Sequence, residues 1–502
     1  MKCKEPGAQE ARHIMRIGEL SSTVRRSNSP AQPINQRFLH YIHRFRRLPE
    51  SAAPATYGAI RITFTAALHK VESDQALFCC MDPNQLFREH RMNLEPLIND
   101  PALLGRLETL KNKSYSDIVD ARGLQYVDLV MEGGGMLGIA LVGYTWALEQ
   151  AGIRFLGIGG TSAGSINALL LAALGTPGEA KSPKLLAELA RLDFRQFVDG
   201  DDDSRELIDA WLAKARKFKL ALKAAQCFDT INDRLGLNPG TAFSAWIGDI
   251  LRRERIDSMA DLQQRMETLP TGLRSRAGDK LDTPQKAGSR LAIVAADVST
   301  ETKVVFPDDA DLYFADPAAV DPALFVRASM SIPYFFQPLR IDNLPQGPAA
   351  AARWAVTGYD TSVEQGGVPT SALFIDGGIM SNFPIETFHD YSVAVPLAPT
   401  FGVKLEYDNR RHEIGGPLDL FGAIFNSARH CLDYDFLHRN PEYRQLVQWI
   451  PCRQYNWLDF SMSDETKAGL FYEGAERAIA FLQGFDWEAC KAYRQRLHAA
   501  RR

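Results

Sequence analysis

Three short segments hold residues whose types and spacing suit nucleophilic chemistry at a carbonyl. Gly160-Thr161-Ser162-Ala163-Gly164 fits G-x-S-x-G, a tight strand-to-helix turn that lifts a serine hydroxyl to the start of a helix. Backbone N–H groups and the helix dipole there favour developing negative charge. The competing reading is a glycine turn that only packs a helix on a strand. Gly133-Gly134-Gly135-Met136-Leu137-Gly138 lies between an apolar run and a helical pattern, and its consecutive glycines let amides converge on one point, as an oxyanion hole requires. A phosphate loop is disfavoured because Ile139-Ala140, not Lys-Ser/Thr, follows Gly138. A dinucleotide loop fits G-x-G-x-x-G, yet the next strand ends in the serine turn and not in an acidic residue. Asp376 closes an apolar run and is followed by Gly377 and Gly378, so its carboxylate can face a crevice; taken alone, the tripeptide is more often simply a turn.

Taken together, the three segments resemble the patatin-like phospholipase family. The glycine loop precedes Ser162 by one βα unit, and Asp376 follows 214 residues after Ser162. Val326–Pro333 resembles the strand-turn before that family's aspartate, Asp376–Pro384 the aspartate segment itself, and Trp457–Leu482 a typical family ending. The resemblance spans about residues 125–400. It implies a Ser–Asp dyad, with Asp376 taking the Ser162 proton, Ser162 attacking a lipid ester and an acyl-enzyme forming. Amides of Gly133, Gly134, Gly135 and Met136 would hold the oxyanion, and Gly138, Gly160, Gly164, Gly377 and Gly378 would shape the motifs. No metal or other cofactor is implied. Leu137 departs from the family pattern, where many members carry Arg or Lys, so neutral acylglycerols stand beside membrane phospholipids as substrates and position 137 is expected to bias the choice. A catalytically silent lipid-binding protein is the non-enzyme alternative. The rival hydrolase arrangement adds a histidine from among His389, His412, His430 and His438, but its oxyanion loop normally lies further upstream.

The elements that must position these groups alternate. Tyr126–Met131, Arg154–Ile158, Arg290–Ala296, Lys303–Phe306, Ala372–Ile375 and Thr400–Leu405 read as strands, with helices after the two glycine turns. This predicts an α/β fold, a mostly parallel central sheet flanked by helices, with a helical insertion at 176–288 and helical N- and C-terminal extensions. The expected organisation is a basic arm at 1–56, a helical extension at 57–124, a catalytic domain at 125–400 and a mainly helical remainder at 401–502.

Net charge of −4 gives no electrostatic case for nucleic acid. Seven scattered cysteines without a C-x-x-C pair suit a reducing compartment. No apolar signal core precedes the polar N-terminal residues, and no run reaches the roughly 18–20 apolar residues of a spanning helix. A cytoplasmic enzyme that meets membranes peripherally is expected, with signal-independent export and an activator left open. Trp211–Cys227 reads as an amphipathic helix whose lysines suit an anionic bilayer, although such a pattern is more often a packed helix with a solvated basic face. The acidic run Asp199, Asp201, Asp202 and Asp203 is expected to cap a helix.

Overall fold

The computed structural model describes residues 93–212, 223, 226–389, 392–406 and 414–501. The 1–56 arm and residues 57–92 of the expected extension lie outside them, as does most of Trp211–Cys227.

Continuous apolar runs make buried strands, because both faces of a parallel sheet are covered by helices. Eight strands matter here, the buried ones β1 (Gln125–Met131), β2 (Ile153–Thr161), β3 (Arg290–Asp297), β6 (Ser371–Asp376) and β7 (Thr400–Glu406), and the more exposed β4 (Thr302–Phe306), β5 (Leu339–Asp342) and β8 (Val447–Pro451). They belong to a ten-stranded sheet ordered β8-β7-β1-β2-β3-β6-β5, with β4 beside β3. β8, β7, β1, β2 and β3 run parallel. β6 runs antiparallel to both β3 and β5, and β4 is antiparallel to β3. The expected mixed, mostly parallel α/β sheet is therefore present.

The mainly helical tail also contributes β8 to the sheet. One sequence expectation changes. Val326–Pro333 begins as a helix, since Ala323–Ser329 is helical. Asp376 reaches the site through register on an antiparallel strand. Thr161 pairs with Val294 on one side of β3 and Asp376 pairs with Ala295 on the other, so the residues after β2 and at the end of β6 flank the same short stretch.

Helices α1 (Gly138–Gln150) and α2 (Ala163–Ala173) follow the two glycine turns, and α3 (Pro417–Arg439) and α4 (Asp464–Gly484) belong to the C-terminal part. α1 is buried from Gly138 through Glu149, as a helix apolar on all sides must be. It can approach α4 because glycines meet the facing backbone. A Cβ on Gly474 would stand 1.8 Å from the Ala140 carbonyl oxygen, and one on Gly143 would stand 1.9 Å from that of Phe471. Gly474→Ala must push the helices apart. It is expected to lower unfolding free energy by about 1–3 kcal/mol, read from urea titration, whereas an unchanged midpoint would mean that the contact is not close in solution.

Candidate active site

Ser162 follows the last residue of β2 and precedes α2, with φ 52° and ψ −119°. A non-glycine residue holds such a conformation only when its surroundings over-determine it. Here the Ser162 amide donates to Ser329 Oγ at 2.9 Å, and Ser329 Oγ donates to the Val294 carbonyl at 2.6 Å. The Ser162 carbonyl accepts from Ser165 Oγ at 2.6 Å and from the Ser165 amide at 2.9 Å. Gly164 is required by close approach: a Cβ there would lie 2.1 Å from the Met131 carbonyl oxygen. Gly160 faces the backbone of Gly164 in the same crossing.

Asp376 is 4% exposed, and the Ser162 hydroxyl is near enough to favour its ionised form. Its Oδ1 accepts from the Gly378 amide at 2.8 Å. Its own amide donates to the Ser331 carbonyl at 2.8 Å, and Arg327 grips the Ser331 hydroxyl as well as the Pro239 and Gln337 carbonyls. Burial raises the Asp376 carboxyl above the ordinary carboxylate range, against the opposing pull of Arg429, the Ser162 hydroxyl and the Gly378 amide. Gly377 packs against the Val294 carbonyl, which lets the chain leave the sheet immediately after the carboxylate.

The glycine loop lies against both residues. A Gly133 side chain would fall 2.5 Å from Asn382 Oδ1 and 3.0 Å from Ser162 Cβ. Two of the four expected oxyanion amides are engaged: Gly133 N donates to the Asn382 carbonyl at 3.0 Å, and Met136 N to that of Trp457 at 2.9 Å. Among the described residues the amides of Gly134 and Gly135 have no acceptor, so these two remain as donors for an incoming oxygen. Gly138 packs on Ala163 and Asn167 of α2. Leu137 is fully buried in the main core and is not among the residues that line the cleft, so the expectation placed on position 137 gains no contact there.

A cleft opens over Ser162. Its walls combine Met136, Ile139, Ile166, Met330, Ile332, Phe336 and Phe460 with six residues of the 176–288 insertion: Leu189, Leu192, Phe194, Phe197, Phe243 and Trp246. Apart from Ser162 and Asn167, every lining side chain is apolar or glycine. Among the described residues no histidine lines it. His389 is bonded to the Tyr443 hydroxyl, His438 is exposed and stacks on Tyr434, and His412 lies outside the described residues, as does the side chain of His430. Of the acidic run, Asp201 caps Ser204, while Asp199 accepts from the Gly240 and Ala242 amides at the start of the helix Thr241–Arg253.

Sequence reasoning missed Ser329, Asn382 and Arg429 as parts of the site, and the insertion's aromatic wall. Asn382 stands inside the Asp376–Pro384 segment, so its place was signalled though its partner was not. Arg429 sits in a helix with no motif around it.

A family model described as patatin-like phospholipase matches residues 129–389. The uncharacterized protein YqhO of Bacillus subtilis (strain 168) is 31% identical over 362 residues, covering 71% of this chain and 98% of that protein. Among solved structures, VipD from Legionella pneumophila is similar over 74% of this chain and 70% of its own, at 14% identity and a TM-score of 0.30. ExoU of Pseudomonas aeruginosa, solved with SpcU, is similar over 72% of this chain and 52% of its own, at 18% identity and a TM-score of 0.27.

A methyl on Gly378 would meet Asn382 Oδ1 at 2.8 Å, Asp376 Oδ1 at 2.9 Å and Arg429 Nε at 3.2 Å. Gly378→Ala should slow fluorophosphonate labelling of Ser162 about 10- to 100-fold, the usual penalty for displacing a reacting group by a fraction of an ångström to one ångström. Native labelling at a native melting temperature would show that these contacts do not set the geometry.

Proposed function

The chain belongs to the patatin-like phospholipase family and is a lipid acyl hydrolase, and from that premise we propose that it cleaves carboxylic esters of membrane phospholipids through Ser162 and Asp376. The observation that carries the proposal is a serine held in a strained turn on an apolar cleft, with the buried carboxyl of Asp376 brought beside it by the register of β2, β3 and β6.

In this reading Asp376 accepts the Ser162 proton as Oγ attacks the ester carbonyl. The oxyanion is held by the free amides of Gly134 and Gly135, with the α2 N-terminus behind it. The ester C–O bond breaks, the proton passes from Asp376 to the leaving alcohol, and an acyl-Ser162 remains. Water, deprotonated by Asp376, then attacks that ester; the C–Oγ bond breaks, Asp376 returns the proton to Ser162 Oγ, and the fatty acid leaves. The acyl chain lies along the wall supplied by the insertion, where each buried methylene contributes about 0.8 kcal/mol.

One observation favours a second substrate class. The cleft wall presents no charged side chain among its described residues, so recognition falls on the acyl chain, and a neutral acylglycerol fits equally well. Competition between vesicles of phospholipid and emulsified triacylglycerol decides between them. Peripheral docking through Trp211–Cys227 is part of the same proposal and rests on its sequence alone. Among the described residues no helix is long and apolar enough to cross a membrane.

Ser162→Ala and Asp376→Asn are each expected to lower kcat/KM at least about 10³-fold, and the double variant no further, because the two act as a unit. Replacing any of the four histidines should leave at least roughly a tenth of the activity. A histidine variant as inactive as Ser162→Ala would replace the dyad with a triad. Because Asp376 works as a base only when ionised and burial raises its carboxyl, activity should be lost as pH falls through a midpoint above the usual 4 or so of an aspartate.

A further inference from the structure

Arg429, on α3, is 6% exposed and stands where the three motifs meet. Its Nη2 donates to the Gly133 carbonyl at 3.2 Å and to Asn382 Oδ1 at 3.1 Å, and its guanidinium lies 5.5 Å from the centre of the Trp457 ring. Trp457 gives its own carbonyl to the Met136 amide. On the other side, Arg429 Nε and Asp376 Oδ1 crowd the same point beside Gly378, 3.2 and 2.9 Å from where its side chain would begin. One cation thus touches the glycine loop directly, reaches its far end through Trp457, and adjoins the aspartate turn.

We propose that Arg429 is the positioning residue of this site, holding Asp376 in its ionised, proton-accepting form while tying the glycine loop to the aspartate turn. The proposal rests on the assignment of Ser162 and Asp376 above. A carboxyl removed from water prefers to be neutral, and a neutral acid cannot take the serine proton. A fixed cation a few ångströms away restores the charged form and, being inside the fold, is little screened by salt. Arginine suits the task because it remains charged when buried and its planar fork satisfies two acceptors at once.

The other charges facing this region pair among themselves. Glu132, which ends the approach to the glycine loop, meets Lys404 of β7 at 2.6 Å, and Lys404 meets Asp433, one turn beyond Arg429, at 3.7 Å. Burial pushes Asp433 up to about 7, and Glu386 adds negative charge near it. Arg327 is engaged with Ser331 and two carbonyls. Arg429 is the cation that acts on Asp376, and Asp433 is the neighbouring group whose titration must be separated from that of the base.

The test measures kcat/KM for a soluble short-chain ester, and the rate of fluorophosphonate labelling, from pH 4 to 10 on the full chain. Arg429→Gln should move the acid limb of both profiles upward by about 1–3 pH units, the effect of removing a cation beside an aspartate, and activity should recover towards native values at high pH. Arg429→Lys, which keeps the charge, should hold the limb within about half a unit while lowering the plateau. Asp433→Asn should leave the limb in place. An Arg429→Gln protein of native melting temperature with an unmoved limb overturns the inference, as does an equal displacement in Arg429→Lys. If the glutamine variant does not fold, the lysine variant carries the test: a limb displaced by a full unit then refutes a role for the charge. Failure of the native protein to label at Ser162 would instead refute the assignment of the reacting pair.

Discussion

The Asp376 carboxyl is almost wholly withdrawn from solvent, and removing a carboxylate from water costs several kcal/mol unless its surroundings compensate. Much of the local architecture supplies that compensation. The Gly378 amide points back at the carboxyl because the chain turns at once after β6, the Ser162 hydroxyl reaches it across β3, and Arg429 provides opposite charge. Burial raises the affinity of Asp376 for a proton, and its neighbours limit the rise. That balance is what a base operating on a serine hydroxyl needs.

Such a site demands backbone approaching backbone more closely than side chains allow. The strained conformation of Ser162 persists because Ser329, itself anchored on Val294, and Ser165 hold the peptides on both sides of it. The strand register then does the rest: β3 stands between the serine turn and the aspartate strand and sets their spacing. Rigid elements therefore fix the geometry, and the irregular segments only join them.

What was legible in the sequence follows from the same physics. Gly133, Gly164 and Gly378 stand where a methyl group has no room, and crowding of that kind leaves a mark in the chain as glycine. The long apolar strands were legible as well, since both their faces are covered. β8 was not, because Val447–Pro451 is a short run among helical neighbours with no alternation to read. Nor was the direction of β6, which depends on its pairing partners and not on its residues. The engagement of the Gly133 and Met136 amides by Asn382 and Trp457 is a tertiary fact with no local signature, and Arg429 shares that invisibility: an arginine in a helix looks solvated until the fold buries it.

The cleft joins two stretches of chain with separate duties. The reacting groups and the residues that bond them directly come from segments before residue 176 and after residue 288, whereas six of the apolar side chains over Ser162 belong to the insertion between them. A change of shape at Phe197 or Trp246 alters the length and breadth of the space above the serine without touching a hydrogen bond to Ser162 or Asp376. Selectivity and reactivity are thereby inherited on different parts of the polypeptide. Descendants of this chain can drift in diet while keeping the same chemistry.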